Sequence, residues 1–338
     1  MKKRIIAIIL PALMLLFASA CAASPATNGG NIPQQPPSQA TGETASPGAA
    51  TTEPPESPSP SATNAIEHDR EGNPVALPGS IERIISLGPS NTEILIALGL
   101  GGKIIAADDQ SSNIEGLPDG AALFDMFAPD GEQIVALAPD AIIVTGMSRA
   151  GGASPLQIVE DVGICVLYIP TPASIDEIKE DIRFIAAVVG AQSEGEEIIG
   201  HMEREIGHVQ SIGAGIAEKK SVYFEISAAP WMYSFGSGVF LNEIIELIGA
   251  SNILSGETEW LAVGDEAVLG ANPDVILTSV NYIDDPVGEI MARPGWSEIT
   301  AIQNNDVHYI DTDSSNRPSH NIVNALWEIA RAVYPDYY

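Results

Sequence analysis

Two stretches of this chain repeat each other without a gap: Glu132-Gln-Ile-Val-Ala-Leu-Ala-Pro139-Asp140-Ala-Ile-Ile-Val144 and Glu266-Ala-Val-Leu-Gly-Ala-Asn-Pro273-Asp274-Val-Ile-Leu-Thr278. Glu, Pro, Asp and one Ile coincide, and the apolar positions agree. Each copy reads as a short helix, a Pro-Asp turn that stops it, and a buried strand. The surroundings repeat as well. Residues 84–87 are a strand candidate, Ser90-x-x-Glu93 has the form of a capping box, and residues 94–98 continue as an apolar helix ended by Gly99. In the second half, residues 222–226 read as a strand and 240–248 as a helix with Glu243 and Glu246 on its polar side, stopped by Gly249. Residues 156–169 and 299–310 each pair a helical segment with a strand. Alternating strands and helices predict an α/β fold of two lobes with mainly parallel sheets and helices on both faces.

Between the halves, Ile175, Ile178, Ile182 and Ile185, then Ile198, Ile199, Met202, Ile206 and Val209, recur at helical spacing. No turn-rich hinge interrupts them. The expectation is an N-terminal lobe over residues 65–192, a single long bridging helix over 193–219 and a C-terminal lobe over 220–338. Ligands of such folds bind beyond the carboxyl ends of the strands, here a cleft between the lobes.

The N-terminus sets the compartment. Met1-Lys2-Lys3-Arg4, an apolar run over residues 5–17, and Ala18-Ser19-Ala20-Cys21 form an export signal. The run is too short for a hydrocarbon core that needs about 20 residues. It resembles a bacterial lipoprotein signal, which implies residues 1–21 as signal peptide and lipidation of Cys21; a leucine is more usual at the position of Ala18. Residues 22–64 are almost entirely Ala, Ser, Thr, Pro, Gly and Gln and read as a disordered tether. The net charge of −30 argues against nucleic acid as a partner, because a phosphate backbone requires a basic footprint. Besides Cys21 there is only Cys165, in an apolar run, and the five histidines fall on separate predicted elements, so no metal site is expected.

Arg83-Ile-Ile-Ser-Leu-Gly-Pro-Ser-Asn-Thr-Glu93, the two Glu…Pro-Asp segments, Gly236-Ser-Gly-Val-Phe-Leu-Asn-Glu243, Gly249-Ala-Ser-Asn-Ile253 and Arg317-Pro318 together resemble substrate-binding proteins of ABC importers. The likeness is to the subgroup that binds vitamin B12, ferric siderophores or haem, and it spans residues 66–338. It implies a rigid helical bridge, a monomer with no resident cofactor and no catalysis, and a location on the extracytoplasmic face of the cell membrane. It also implies that Glu132 and Glu266 dock against arginines of an ABC permease, which works with its ATPase. A pair of symmetric carboxylates suits fork-shaped guanidinium partners.

Ligand contacts are expected on loops that follow strands. In the second lobe these are Trp231, Tyr233 and Trp260, with Phe235 as an even choice between ligand and core, since flat rings stack on a planar chelate. From the first lobe come Asp108 and Met126, which the resemblance places in the cleft. Arg317 is the basic candidate, poised between gripping a ligand and pairing with Asp313. Three of the 15 lysines and arginines lie in the leader, and few of the rest fall in predicted cleft loops. A polyanionic chelate would be poorly neutralised there, so the expected cargo is cobalamin or a related corrinoid, with a ferric siderophore or haem as the alternative. Neither a nucleophile with its base nor paired carboxylates in context mark an enzyme.

Overall fold

The structure is a computed structural model that describes residues 66–149 and 154–338; Cys21 and the tether lie outside the described residues. The first sheet is parallel, built from β1 (Ile84–Leu87), β2 (Ile104–Asp108), β3 (Ala122–Phe124), β4 (Ala141–Thr145) and β5 (Cys165–Ile169) in the order β3-β2-β1-β4-β5. Helices α1 (Pro89–Ala97), α2 (Gly131–Leu137) and α3 (Gln157–Asp161) connect these strands. Two long helices follow, α4 (Ile175–Val189) and α5 (Gln192–Gly213).

The second lobe contains β6 (Ser221–Glu225), β7 (Tyr233–Phe235), α6 (Phe240–Leu247), β8 (Ser251–Asn252), β9 (Trp260–Ala262), α7 (Asp265–Ala271) and β10 (Val275–Thr278). It ends with α8 (Pro286–Met291), α9 (Thr300–Asn304), β11 (Val307–Tyr309), α10 (Thr312–Asn316) and α11 (Ile322–Val333). Its main sheet is parallel in the order β8-β6-β10-β11, which superposes in topology on β2-β1-β4-β5 of the first lobe. The antiparallel pair β7-β9 is an addition that the sequence pattern did not foretell.

The repeat has a physical cause. Each short helix ends on a left-handed residue, Ala138 at φ 46° and Asn272 at φ 47°, and the following proline prevents continuation. The aspartate then fastens the neighbouring central strand. Asp140 Oδ2 accepts the backbone N–H groups of Glu82 and Arg83, both at 2.8 Å, while Asp274 Oδ2 accepts the N–H and hydroxyl of Ser221, also both at 2.8 Å. Helix stop and strand register are thus set by three residues in each lobe.

Alternate strand residues face opposite layers. Ile84, Ile143 and Leu167 in one lobe, and Val222, Phe224, Val275 and Leu277 in the other, join a single core with α1, α4, α5, α6 and α11. The outer faces have separate cores: Ile85, Leu87, Ile142 and Val144 pack on Ile134 and Val159, whereas Tyr223 and Ile276 pack on Val268, Ile290 and Trp296. The two lobes therefore share one apolar layer through the helices, not a thin linker.

The bridging helix stops at Gly213, where the periodicity had predicted residue 219. At that end its backbone lies close against the end of α6, so that a Cβ at Gly213 or Gly249 would overlap the facing backbone. Glu243 also differs from expectation. It is not on an open polar face: its Oε2 accepts the Ile175 N–H at 2.9 Å, tying α6 to the start of α4, and burial raises its pKa.

Candidate functional site

In a parallel sheet every strand delivers its following loop to the same edge. The carboxyl edges of the two sheets meet where loops after β2 and β11 touch: Asn113 Nδ2 donates to Asp313 Oδ2 at 2.7 Å, and Arg317 Nη2 donates to the Gln110 carbonyl at 3.1 Å. This junction is the floor of the candidate cleft.

The rim is apolar. After β3, Asp125 Oδ1 accepts the N–H groups of Phe127 and Ala128 at 2.8 and 2.9 Å, a tight turn that leaves Phe127 55% exposed. After β4, Met147 is 47% exposed. In the second lobe Trp231 is 82% exposed, Tyr282 66% and Tyr233 39%. Tyr282 is held in place although its ring is open: its hydroxyl accepts the Ala228 N–H at 2.8 Å and lies 3.1 Å from Ser227 Oγ. Exposed rings and a thioether thus lie on segments that follow strands of both lobes, the side-chain types that stack on a large flat ligand.

The residues named from sequence divide. Trp231 and Tyr233 stand open on the second lobe's rim. Trp260 is half-buried, with its indole edge-on to Phe235 and Phe240 at centroid distances of 5.8 and 6.5 Å, so most of the ring packs into the core. Phe235 is fully buried and belongs to that core. Asp108 requires correction as a cleft contact. It has no exposure; its Oδ2 accepts the Gly88 N–H at 2.8 Å and the Ser111 hydroxyl at 2.7 Å, and burial raises its pKa. It fastens the loop after β1 to the loop after β2, beneath the cleft. Met126 is corrected likewise, being buried while its neighbour Phe127 projects.

Arg317 reaches the junction, but its guanidinium is engaged on several sides, including Glu93 across the lobes at 3.2 Å and Asp313 at 2.9 Å. Glu93 overturns the capping box. Helix α1 starts on Gly88 with no side-chain cap, and Glu93 turns to the other lobe instead. Phe127, Met147, Tyr282 and Glu93 were missed. For Tyr282 the signal existed: an aromatic residue four positions past the second Pro-Asp strand.

Glu132 and Glu266 are both exposed in the first turns of α2 and α7, one per lobe, at matching places in the repeat. Neither carboxylate has a side-chain partner among the described residues. Cys165 is a free, half-buried thiol at the start of β5, and burial raises its pKa. Among the described residues no group of three His, Cys, Asp or Glu is placed to hold a metal, and no helix is long and apolar enough to cross a membrane.

The profile of the periplasmic binding protein family matches residues 84–314. The uncharacterized ABC transporter substrate-binding lipoprotein YvrC of Bacillus subtilis (strain 168) is 30% identical over 270 residues, covering 79% of this chain and 85% of that protein. The crystal structure of a possible iron-binding (periplasmic solute-binding) protein from Staphylococcus epidermidis is 26% identical with a TM-score of 0.68, covering 75% of this chain and 99% of that one. The periplasmic vitamin B12 binding protein BtuF of Vibrio cholerae is 25% identical with a TM-score of 0.61, covering 75% of this chain and 96% of its own. Two parallel sheets in matching strand order, lobes joined by a long helix and a profile match across both lobes lead to one conclusion: the chain belongs to the periplasmic binding protein family, a solute-binding protein and not an enzyme.

Proposed function

We propose that this protein is the substrate-binding component of an ABC importer, lipid-anchored through Cys21 on the extracytoplasmic face of the cell membrane, which captures cobalamin or a related corrinoid. The observation that carries this reading is that Trp231, Tyr233, Tyr282, Phe127 and Met147 are exposed on segments that follow the parallel strands of both lobes, while the arginine at the lobe junction is already paired. Such a site offers apolar contact area, and among the described side chains the arginine at its junction is already paired, which suits a neutral, amide-rich ring better than a polyanionic chelate. Likeness to the Vibrio cholerae vitamin B12 binding protein supports the same cargo. A ferric siderophore or haem is the alternative, supported by likeness to the possible iron-binding protein of Staphylococcus epidermidis. The anchor and the monomeric state are part of the proposal; the name of the Bacillus subtilis relative as a lipoprotein supports the anchor.

The described residues 66–149 and 154–338 belong to one compact unit, and this folded body is the natural material for titration. Cyanocobalamin should quench tryptophan fluorescence with one-to-one saturation, and Trp231→Ala should weaken binding by about tenfold, the loss of one stacked ring. Haem or ferric hydroxamate binding in place of cyanocobalamin would keep the importer and replace the cargo.

The same proposal gives the two glutamates to an ABC permease and its ATPase as docking posts. Uptake by cells carrying Glu132→Ala with Glu266→Ala should drop to background, while cargo affinity of the purified variant stays at the wild-type value. Unchanged uptake would remove the docking role.

A further inference from the structure

Arg317 sits where the two carboxyl edges meet, and both terminal nitrogens of its guanidinium are engaged by the protein itself. Nη1 donates to Glu93 Oε1 at 3.2 Å; Nη2 donates to the Gln110 carbonyl at 3.1 Å and to Asn113 Oδ1 at 2.9 Å, and lies 2.9 Å from Asp313 Oδ1. The other oxygen of Glu93 accepts from the Ser319 hydroxyl and from Asn321 Nδ2, the latter at 3.1 Å. Beside this cluster is a cavity of about 300 Å3 whose wall also includes Glu115 and His320.

The formal charges here do not add to a cationic subsite. One guanidinium faces the carboxylates of Glu93 and Asp313, and Glu115 adds a third negative group to the wall. His320 brings no compensation, because burial lowers its pKa. The two partners of Arg317 are not equivalent. Asp313 is 41% exposed, so water and salt screen its field, whereas Glu93 is 7% exposed and acts through a lower dielectric. Glu93 is also held by donors from the opposite lobe, which keeps it in place.

We propose that Glu93 is a specificity-determining residue: by neutralising Arg317 across the lobe junction, it makes the cleft accept neutral cargo bearing amides or hydroxamates and reject polyanionic chelates. The inference rests on the cleft being the cargo site. An anion approaching Arg317 meets the carboxylates of Glu93 and Asp313 already paired with it and has to compete with those charge-assisted bonds.

The test uses the full-length protein and the Glu93→Gln variant, in which the side chain keeps its shape and loses its charge. Two matched pairs are titrated: cyanocobalamin against its monocarboxylic acid, and a neutral ferric hydroxamate against an anionic ferric catecholate. In parallel, excess inorganic phosphate is added while the Arg317 side-chain nitrogen signals are followed by NMR. The wild type should favour the neutral member of whichever pair binds, and the variant should lose about tenfold of that preference, one charge contact's worth. Phosphate should leave Arg317 unperturbed in the wild type and shift it in the variant. Equal preference in both proteins, or phosphate shifting Arg317 in the wild type, would overturn the role of Glu93. If neither pair binds either protein, the cargo reading fails, and the phosphate titration still decides the inference. The wild-type phosphate arm stands even if the variant does not fold.

Discussion

Alanine at Gly213 is expected to cost about 3 kcal/mol, and so to lower the melting temperature by roughly 6–12 °C, although the substitution adds one methyl group to a helix. Gly213 is the last residue of α5, and a Cβ there would lie 2.2 Å from the Leu247 carbonyl oxygen, 2.8 Å from the Ile248 carbonyl carbon and 2.9 Å from Gly249 N. The neighbours are backbone, so no rotamer change relieves the overlap. The approach is mutual: Gly249, at φ +84°, would place its own Cβ 2.6 Å from the Gly213 oxygen. Separating the two chains would open the layer in which Val209, Ile244, Ile245 and Ile248 are buried together. Gly207→Ala supplies the control. It lies on the exposed face of the same helix with nothing within 4 Å of the added methyl, and should stabilise by about 0.5–1 kcal/mol through helix propensity. Urea and thermal unfolding of the two variants should therefore move in opposite directions. A Gly213→Ala protein as stable as the wild type would show that the bridge does not depend on this contact.

That contact also marks where reading the sequence reached its limit. The Pro-Asp repeat was legible because its causes are local: a left-handed cap, a proline that cannot continue the helix, and an aspartate next to the strand it fastens. The apolar rows of α4 and α5 were legible for the same reason. The need for glycine at 213 was not, because it arises from the backbone of Leu247, which helical periodicity does not place beside it. Glu93 failed in the same way. Three residues after Ser90 it matched a capping box, yet its partners are Arg317, Ser319 and Asn321, more than 220 positions away. At the candidate cleft the reading named loops after strands, and within them some residues that are buried. Met126 and Phe127 are neighbours in one tight turn, so the choice between them depends on the turn made by Asp125. Asp108 ends a strand whose following loop does reach the cleft, but the alternation of the strand turns its carboxylate inward, onto Gly88 and Ser111.

Replacing Arg293 with methionine should destabilise the protein by about 3–5 kcal/mol near neutral pH, because it strands a buried carboxylate. Glu225 ends β6 with no exposure, and Arg293 meets it twice, Nη1 to Oε2 at 2.7 Å and Nη2 to Oε1 at 3.0 Å. Glu289, one turn away on α8, shares the guanidinium, which also lies 4.3 Å from the Trp296 ring centroid. Two further elements rest on this group. Arg293 Nη1 is 3.0 Å from Met232 Sδ, beneath the loop that carries Trp231, and Trp296 Nε1 donates at 2.9 Å to Asp265, the residue before Glu266. One buried cation thus braces both the loop of Trp231 and the helix of Glu266.

The pH dependence separates electrostatics from packing. Burial already raises the pKa of Glu225, with Arg293 opposing the shift; without Arg293 it should rise further. A folded-state pKa above the unfolded one means that stability is retained below the unfolded value and lost as pH rises towards the folded value. The deficit of Arg293→Met should therefore be smaller near pH 5 than near pH 8, as read by urea unfolding at the two values. Adding Glu225→Gln should recover most of the loss at the higher pH, since the stranded charge is gone and the remaining cost is that of an imperfectly paired amide. A deficit independent of pH and not rescued by Glu225→Gln would mean that Arg293 matters for its volume over Trp296 and not for its charge.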